Sequence, residues 1–280
     1  MRKYESAFTL IEMSVVLLIV AMLISGIFIA QSMLRSSQVH VMVTEYDSYV
    51  KAIGEFQDKF LALPGDMSGS TGYTPQAMWG ADPCGCPCAT SNVKTALTCN
   101  GDGNGSIGTS SLSGGMSSSN FASTISYEWF RAWQQLADAG FIQGSFTGSP
   151  GSGGTNEAVI GTNVPSSAVI GAGWTLLYFL FPSNGSPESN LLLWRDNYGH
   201  ILTLGGFSSN SYTHAPVLKP EDAYALDLKI DDGMPGTGKV RAWRTGTLTS
   251  CTTGDTSQSA QTYSSNNTIQ ACSLVFLLGF

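Results

Sequence analysis

The sequence predicts an α+β chain: a long N-terminal helix, membrane-spanning in its first half, packed on an antiparallel β-sheet globular domain with disulfides. Three observations predict it. Residues 8–30 form a long, predominantly apolar run with a single charge. From Val39 to Phe60 apolar side chains recur at steps of three and four, the spacing of one helical face. Short apolar runs of strand length, divided by turn residues, then occupy the C-terminal part, and the six cysteines are an even number.

The first element is the run from Phe8 to Ala30. As a helix it spans roughly 35 Å, against a hydrocarbon core of about 30 Å. Its one charge is Glu12, and a lone carboxylate inside an apolar span costs on the order of 3 kcal/mol to insert. Ahead of it lies a short basic leader, Met1 to Ala7. A secretory signal has its small-residue cleavage site after the apolar run. Here the small residue, Ala7, precedes it, and no Ala-x-Ala follows Ala30.

The stretch Ala7-Phe8-Thr9-Leu10-Ile11-Glu12 resembles the type IV prepilin signature, shared by type IV pilins and the pseudopilins of type II secretion. The resemblance implies cleavage between Ala7 and Phe8 by a prepilin peptidase, which also N-methylates the new Phe8 amine. It implies that Glu12 pairs with the amine of a subunit in the filament and sets register during assembly. Two residues depart from the usual pattern: Ala7 replaces the customary glycine, and no proline stands near Ile29, so that Gly26 is the residue able to loosen the helix. The expected organisation is a cleaved leader at 1–7, a transmembrane and assembly helix at 8–30 and its amphipathic continuation at 31–62. An extracytoplasmic globular domain at 63–280 follows.

The continuation sets Val39, Val43, Tyr46, Val50, Ile53 and Phe60 on one face, with Glu45, Asp47, Lys51, Glu55, Asp58 and Lys59 around the rest. Leu63-Pro64-Gly65-Asp66 ends it. One unbroken helix is the pilin architecture; a break at Ser36-Ser37 is the alternative.

Cys84, Cys86, Cys88 and Cys99 follow. Their Cys-x-Cys-x-Cys spacing lacks the two-residue gaps that wrap a tetrahedral zinc, so two disulfides are expected among them, with three connectivities open. Asn100-Gly-Asp102-Gly-Asn104-Gly105 has the alternating oxygen ligands of half a calcium loop. Its first ligand is an asparagine, and Ser111 stands at the closing position, so Glu128 or another distant group would have to join. A plain Gly/Asn turn is the competing reading. Residues 110–119 and 148–154 read as flexible Gly/Ser-rich insertions. Between them, Ile125 to Gly140 reads as a second helix, with Trp129, Trp133, Leu136 and Ala137 on one face.

Strand-like runs occupy 173–181, 190–194 and 200–204, the last two joined by the turn residues Asp196 to Gly199. Lys219 to Ile230 reads as a short helix with Pro220 early and acids in its first turn. Gly233 to Val240 nearly matches a phosphate loop, but Val240 stands where Ser or Thr would hold magnesium, and a helix precedes where a strand should. The segment instead resembles a turn of large prepilin-like proteins that leads into a strand, Lys239 to Trp243. Asp227, Asp231 and Asp232 are a second calcium candidate, with solvated turn acids as the alternative. Ser273 to Leu278 reads as a terminal strand. By resemblance to type IV pilins, Cys251 and Cys272 pair around a polar, partner-facing loop.

The net charge of −7 argues against a nucleic-acid-binding surface. There is no Gly-x-Ser-x-Gly and no His-Glu-x-x-His, and His40, His200 and His214 are isolated in sequence. The expected function is a structural, non-enzymatic subunit of a type IV pilus-like filament, minor or specialised, with no cofactor beyond calcium. A type II secretion pseudopilin and a tip adhesin are the alternatives. Its implied partners are prepilin peptidase, other pilins or pseudopilins, and inner-membrane assembly machinery. Its implied location is the bacterial inner membrane as a single-pass precursor, then a periplasmic or extracellular filament.

Overall fold

A computed structural model describes residues 9–68, 72, 74–81, 97–108, 128–154, 156–179, 198–243, 250–253 and 261–280. The processing pair Ala7 and Phe8 lies outside them. So do Cys84, Cys86 and Cys88, the insertion at 110–119, and the run 190–194 with Asp196 and Asn197 of its turn. Cys99 is disulfide-bonded.

Helix α1 runs unbroken from Leu10 to Phe60, 51 residues, or about 77 Å at 1.5 Å per residue. Ser36-Ser37 does not interrupt it. Thr9 and Glu12 form a capping box at its start, and Leu61 ends it in a left-handed conformation, its N–H bonded to Gln57 O. The 18 residues Leu10–Ile27 are apolar enough to cross a membrane and are not buried by the rest of the chain.

Among the described residues four strands, β1 (Ala172–Phe179), β2 (Gly199–Gly206), β3 (Val240–Ala242) and β4 (Leu274–Leu277), form one sheet in the order β1-β2-β4-β3, with every pairing antiparallel. This is the α+β class expected, with the long helix on the sheet. The C-terminal half of α1 lies against it. Tyr46 stacks on Phe276 at 5.0 Å, and Tyr49 meets Trp174 edge-on at 5.8 Å. Val39, Met42, Ile53 and Phe56 are buried in the same core. Removing four such side chains from water is worth roughly 1.5–3 kcal/mol each, so this half of the helix belongs to the domain.

A polar clamp fixes the register between helix and sheet. Glu45 accepts from Ala168 N–H at 2.7 Å, Ser167 O–H at 2.6 Å and Trp174 Nε1–H at 2.9 Å. Hydrogen bonds to a charged acceptor each contribute about 1.5–3 kcal/mol where sheltered. Glu45→Ala leaves three donors without this partner, of which the exposed Ala168 N–H can turn to water, and is expected to destabilise the domain by several kcal/mol. Urea unfolding of the full chain in detergent, followed by tryptophan fluorescence, measures it.

Helices α2 (Pro75–Trp79), α3 (Glu128–Asp138) and α4 (Pro220–Ile230) complete the described elements. α2 was not legible in sequence; Pro75 at its first position and Thr74 as its cap start it. α3 departs from the one-faced helix expected. Its polar residues Glu128, Arg131, Gln134 and Gln135 are buried together with Trp129, Trp133 and Leu136. Loop backbone covers its outer side: Gln135 receives Gly65 N–H at 2.7 Å and donates to Cys99 O at 3.1 Å. Residues 148–154 depart too. Ser149 is fully buried, Asn163 Nδ2 donates to its carbonyl, and Gly151 N–H and Gly153 N–H are both held by Glu157. The Gly/Ser composition there serves tight backbone packing.

Candidate functional site

Three places carry the residues singled out in sequence. The first is the start of α1. Thr9 N–H and Thr9 O–H both donate to Glu12 Oε2 at 2.8 Å, and Glu12 N–H donates back to Thr9 Oγ1 at 3.3 Å. Glu12 is exposed, as are the apolar residues that follow it up to Ile27. It is the one charge in that span. Among the described residues its carboxylate is satisfied by the Thr9 cap, at the rim of an uncovered apolar surface.

The second place lies at the other end of α1. Asp66, just past the helix stop, comes together with Asp102 and Glu128, ligand atoms of all three lying within 4.8 Å of one another. Sequence reasoning had Asp102 and named Glu128 as a group that would have to join. It missed Asp66, whose place in a helix-stop motif concealed it. Asn100 turns away, its Oδ1 accepting from Gln76 N–H. Asn104 supports Asp102, donating from Nδ2 to Oδ2 at 2.8 Å. Gly101 allows the approach, since a Cβ there would collide with the Asp66 backbone.

The carboxylates organise the loop. Asp66 accepts from Asn104 N–H and Gly105 N–H at 3.0 and 2.9 Å; Glu128 accepts from Asp102 N–H and Gly108 N–H at 3.1 and 3.0 Å. Burial, more than their mutual repulsion, pushes Asp66 up to about 6 and Glu128 up to about 8. Three oxygen donors of this kind suit a hard cation such as calcium.

The third place joins the end of α4 to the C-terminal loop. Cys251 and Cys272 are disulfide-bonded. Inside the loop they close, Tyr263 O–H donates to Asp227 Oδ2 at 2.8 Å, and Asp227 Oδ1 accepts from Gly233 N–H at 3.1 Å. Asp231 and Asp232 complete a second acidic trio. Asp231 accepts from Lys239 N–H and Val240 N–H; Asp232 accepts from Met234 N–H and Thr237 O–H. These bonds shape the turn into β3, the role a phosphate loop would have excluded. Burial raises Asp227 to about 7.

The histidines lie apart. His40 is exposed on α1. His200 Nε2 accepts from Ile107 N–H and Nδ1 donates to Phe280 O. His214 packs against Tyr212 and Trp243. Burial lowers both His200 and His214.

These shifts give stability a sign. Carboxyls raised by folding hold protons in the native state that the unfolded chain has released, so their contribution is full at low pH and is lost as pH rises through the folded pKa. Glu128, Asp227 and Asp138, the last also raised by burial to about 7, all act this way. The lowered histidines act oppositely, but only below the ordinary histidine value of 6.5. Without metal, the full chain in detergent is expected to lose stability between about pH 6.5 and 8. Urea midpoints at the two pH values check this, and Glu128→Gln is expected to flatten the slope.

Residues 2–28 match the family described as the prokaryotic N-terminal methylation motif, the type IV prepilin signature. No curated protein and no solved structure matches the chain.

Proposed function

We propose that this chain, which carries a prepilin signature at its N-terminus, is the precursor of a minor or specialised subunit of a type IV pilus-like filament. One observation supports the reading above the others: the half of α1 that bears the motif is apolar and uncovered, whereas the other half is built into a domain core. An uncovered apolar helix needs lipid or other helices around it. In the precursor the bacterial inner membrane supplies that cover. After a prepilin peptidase cuts between Ala7 and Phe8 and methylates the Phe8 amine, neighbouring subunits supply it. Glu12 then pairs with a Phe8 amine, because each charge is costly alone in an apolar bundle. The motif indicates a structural protein rather than an enzyme.

Mechanical shearing of cells followed by probing of the released filaments tests the reading. Recovery of the processed chain outside the cell is expected for a pilus subunit. Retention in a periplasmic fibre would make it a type II secretion pseudopilin instead. A chain that stays in the membrane with its leader attached would overturn both. Assembly machinery of the inner membrane and other pilins are the partners this reading requires. An adhesin role would lodge in the surface around the Cys251–Cys272 loop.

Calcium at Asp66, Asp102 and Glu128 is proposed on the convergence of the three carboxylates, with Asp227, Asp231 and Asp232 as the second set. Bound calcium would replace the protons that hold these acids together and reduce the loss of stability above pH 6.5, leaving the part that Asp138 contributes. A midpoint at pH 8 that is unmoved by calcium would remove this proposal.

A further inference from the structure

The sheet register decides which end of the domain faces the membrane-spanning part of α1. Ala172 opposite Gly206 places the turn before β1 and the turn after β2 at one end, and Leu204 opposite Leu274 brings the segment before β4 beside them. A groove of about 730 Å³ separates this end from α1. Gln31, Leu34 and Arg35 line it on the helix; Ile170, Lys219 and Gln270 line it on the domain. It begins at Gln31, the residue after the apolar run.

Large apolar side chains stand exposed here: Ile170 by 94%, Leu34 by 66%, Ile269 by 62% and Phe207 by 53%. Singly such residues are ordinary. Four from four separated segments, gathered at one end of a domain, are a surface. Ile170 is also held outward. Its turn closes through Ala172 N–H to Val169 O at 3.0 Å, with Gly171 at φ +79° after it. The Glu45 carboxylate fastens Ser167 and Ala168 just before the turn. An isoleucine pinned outward on a rigid turn has no route to bury itself within its own domain.

We propose that this end of the domain docks on the surface of the membrane that α1 enters, with Leu34, Ile170, Phe207 and Ile269 in the headgroup layer. The inference rests on the reading of α1 as a membrane anchor. Leu34 lies four residues beyond Ala30, about 6 Å further along the helix axis. The headgroup layer on each side of the hydrocarbon core is on the order of 5–7 Å thick. A helix tilt of about 20°, usual for membrane spans, lowers one side of the domain toward that layer. The charges of the groove balance: Arg35 pairs with Glu221 at 2.6 Å and with Asp222, and Lys219 is adjacent. Docking is therefore carried by apolar contact and does not depend on anionic lipid.

The test uses the full chain in phosphatidylcholine vesicles, with and without phosphatidylglycerol. A nitroxide is attached at Ile170→Cys, at Phe207→Cys as an independent second site, and at Asp58→Cys near the far end of α1. Spin-label accessibility to oxygen and to a water-soluble nickel complex reads depth. The labels at 170 and 207 are expected to show several-fold lower nickel accessibility than the label at 58. That difference should be insensitive to phosphatidylglycerol and to dilution of protein in lipid. Aqueous accessibility at both sites in an inserted chain overturns this inference alone. Shielding lost on dilution overturns it in favour of a second copy in the groove. A chain that alkaline carbonate extracts from the vesicles overturns the anchor reading and the docking with it.

Discussion

Replacing Glu12 by alanine is expected to leave leader removal intact and to stop the processed chain from entering filaments. The carboxylate has two roles to separate. Within one chain it completes the capping box with Thr9, and losing a cap costs about 0.5–2 kcal/mol of helix stability. In an assembled apolar bundle it would neutralise an amine, and deleting one partner of a buried pair costs on the order of 3–5 kcal/mol. That corresponds to a hundredfold or greater loss in the equilibrium for adding each subunit. Glu12→Gln distinguishes the roles, because glutamine also serves in a capping box but carries no charge. Both variants are expected to be cleaved and to remain membrane-bound, and both to fail assembly, as read by sheared-filament recovery. Normal filaments from Glu12→Gln would show that the cap, not the charge pair, is what the position requires.

Removing the Cys251–Cys272 bridge by replacing both cysteines with alanine is expected to destabilise the domain by roughly 3 kcal/mol, through freedom restored to the unfolded loop. The two residues are 21 apart in sequence and both are buried. The bridge is reinforced on its inner side. Cys272 N–H donates to Leu218 O, its carbonyl accepts from Val217 and Leu218, and β4 starts two residues later. Inside the loop, Tyr263 remains bonded to buried Asp227. The fold should therefore survive at neutral pH with a lowered urea midpoint, and the wild-type chain under reductant should shift in the same direction. A loss below about 1 kcal/mol would mean that the Leu218 bonds and the Asp227–Tyr263 contact hold the loop without the covalent link.

Much of this was legible in the residues because it is local or periodic. The apolar run with Glu12 near its start and the stop at Leu63 to Asp66 are contiguous signals, whereas the Thr9–Glu12 cap emerged only in the structure. Hence α1 ends at Phe60, three residues before the predicted stop begins. Apolar runs of strand length located β1, β2 and β4 to within a residue or two at the ends the structure describes. The composition of 148–154 misled: glycine and serine mark either freedom or close backbone approach, and neighbours absent from the local sequence decide which. α3 misled in another way. Its periodicity reported the face on the core, but nothing local reports that loop backbone from residues 65 and 99 covers the other side.

The sequence by itself determined a long apolar helix with one carboxylate near its start, and an α+β domain after it. Spacing along one chain suffices for these, since a helix sorts its side chains by periodicity alone. Only the tertiary structure decided that Asp66 meets Asp102 and Glu128, that Tyr263 closes on Asp227, and that Ile170, Phe207 and Ile269 share one end. Such convergences depend on where the chain reverses and which strands pair, and no local signal records the distance between residues that folding brings together.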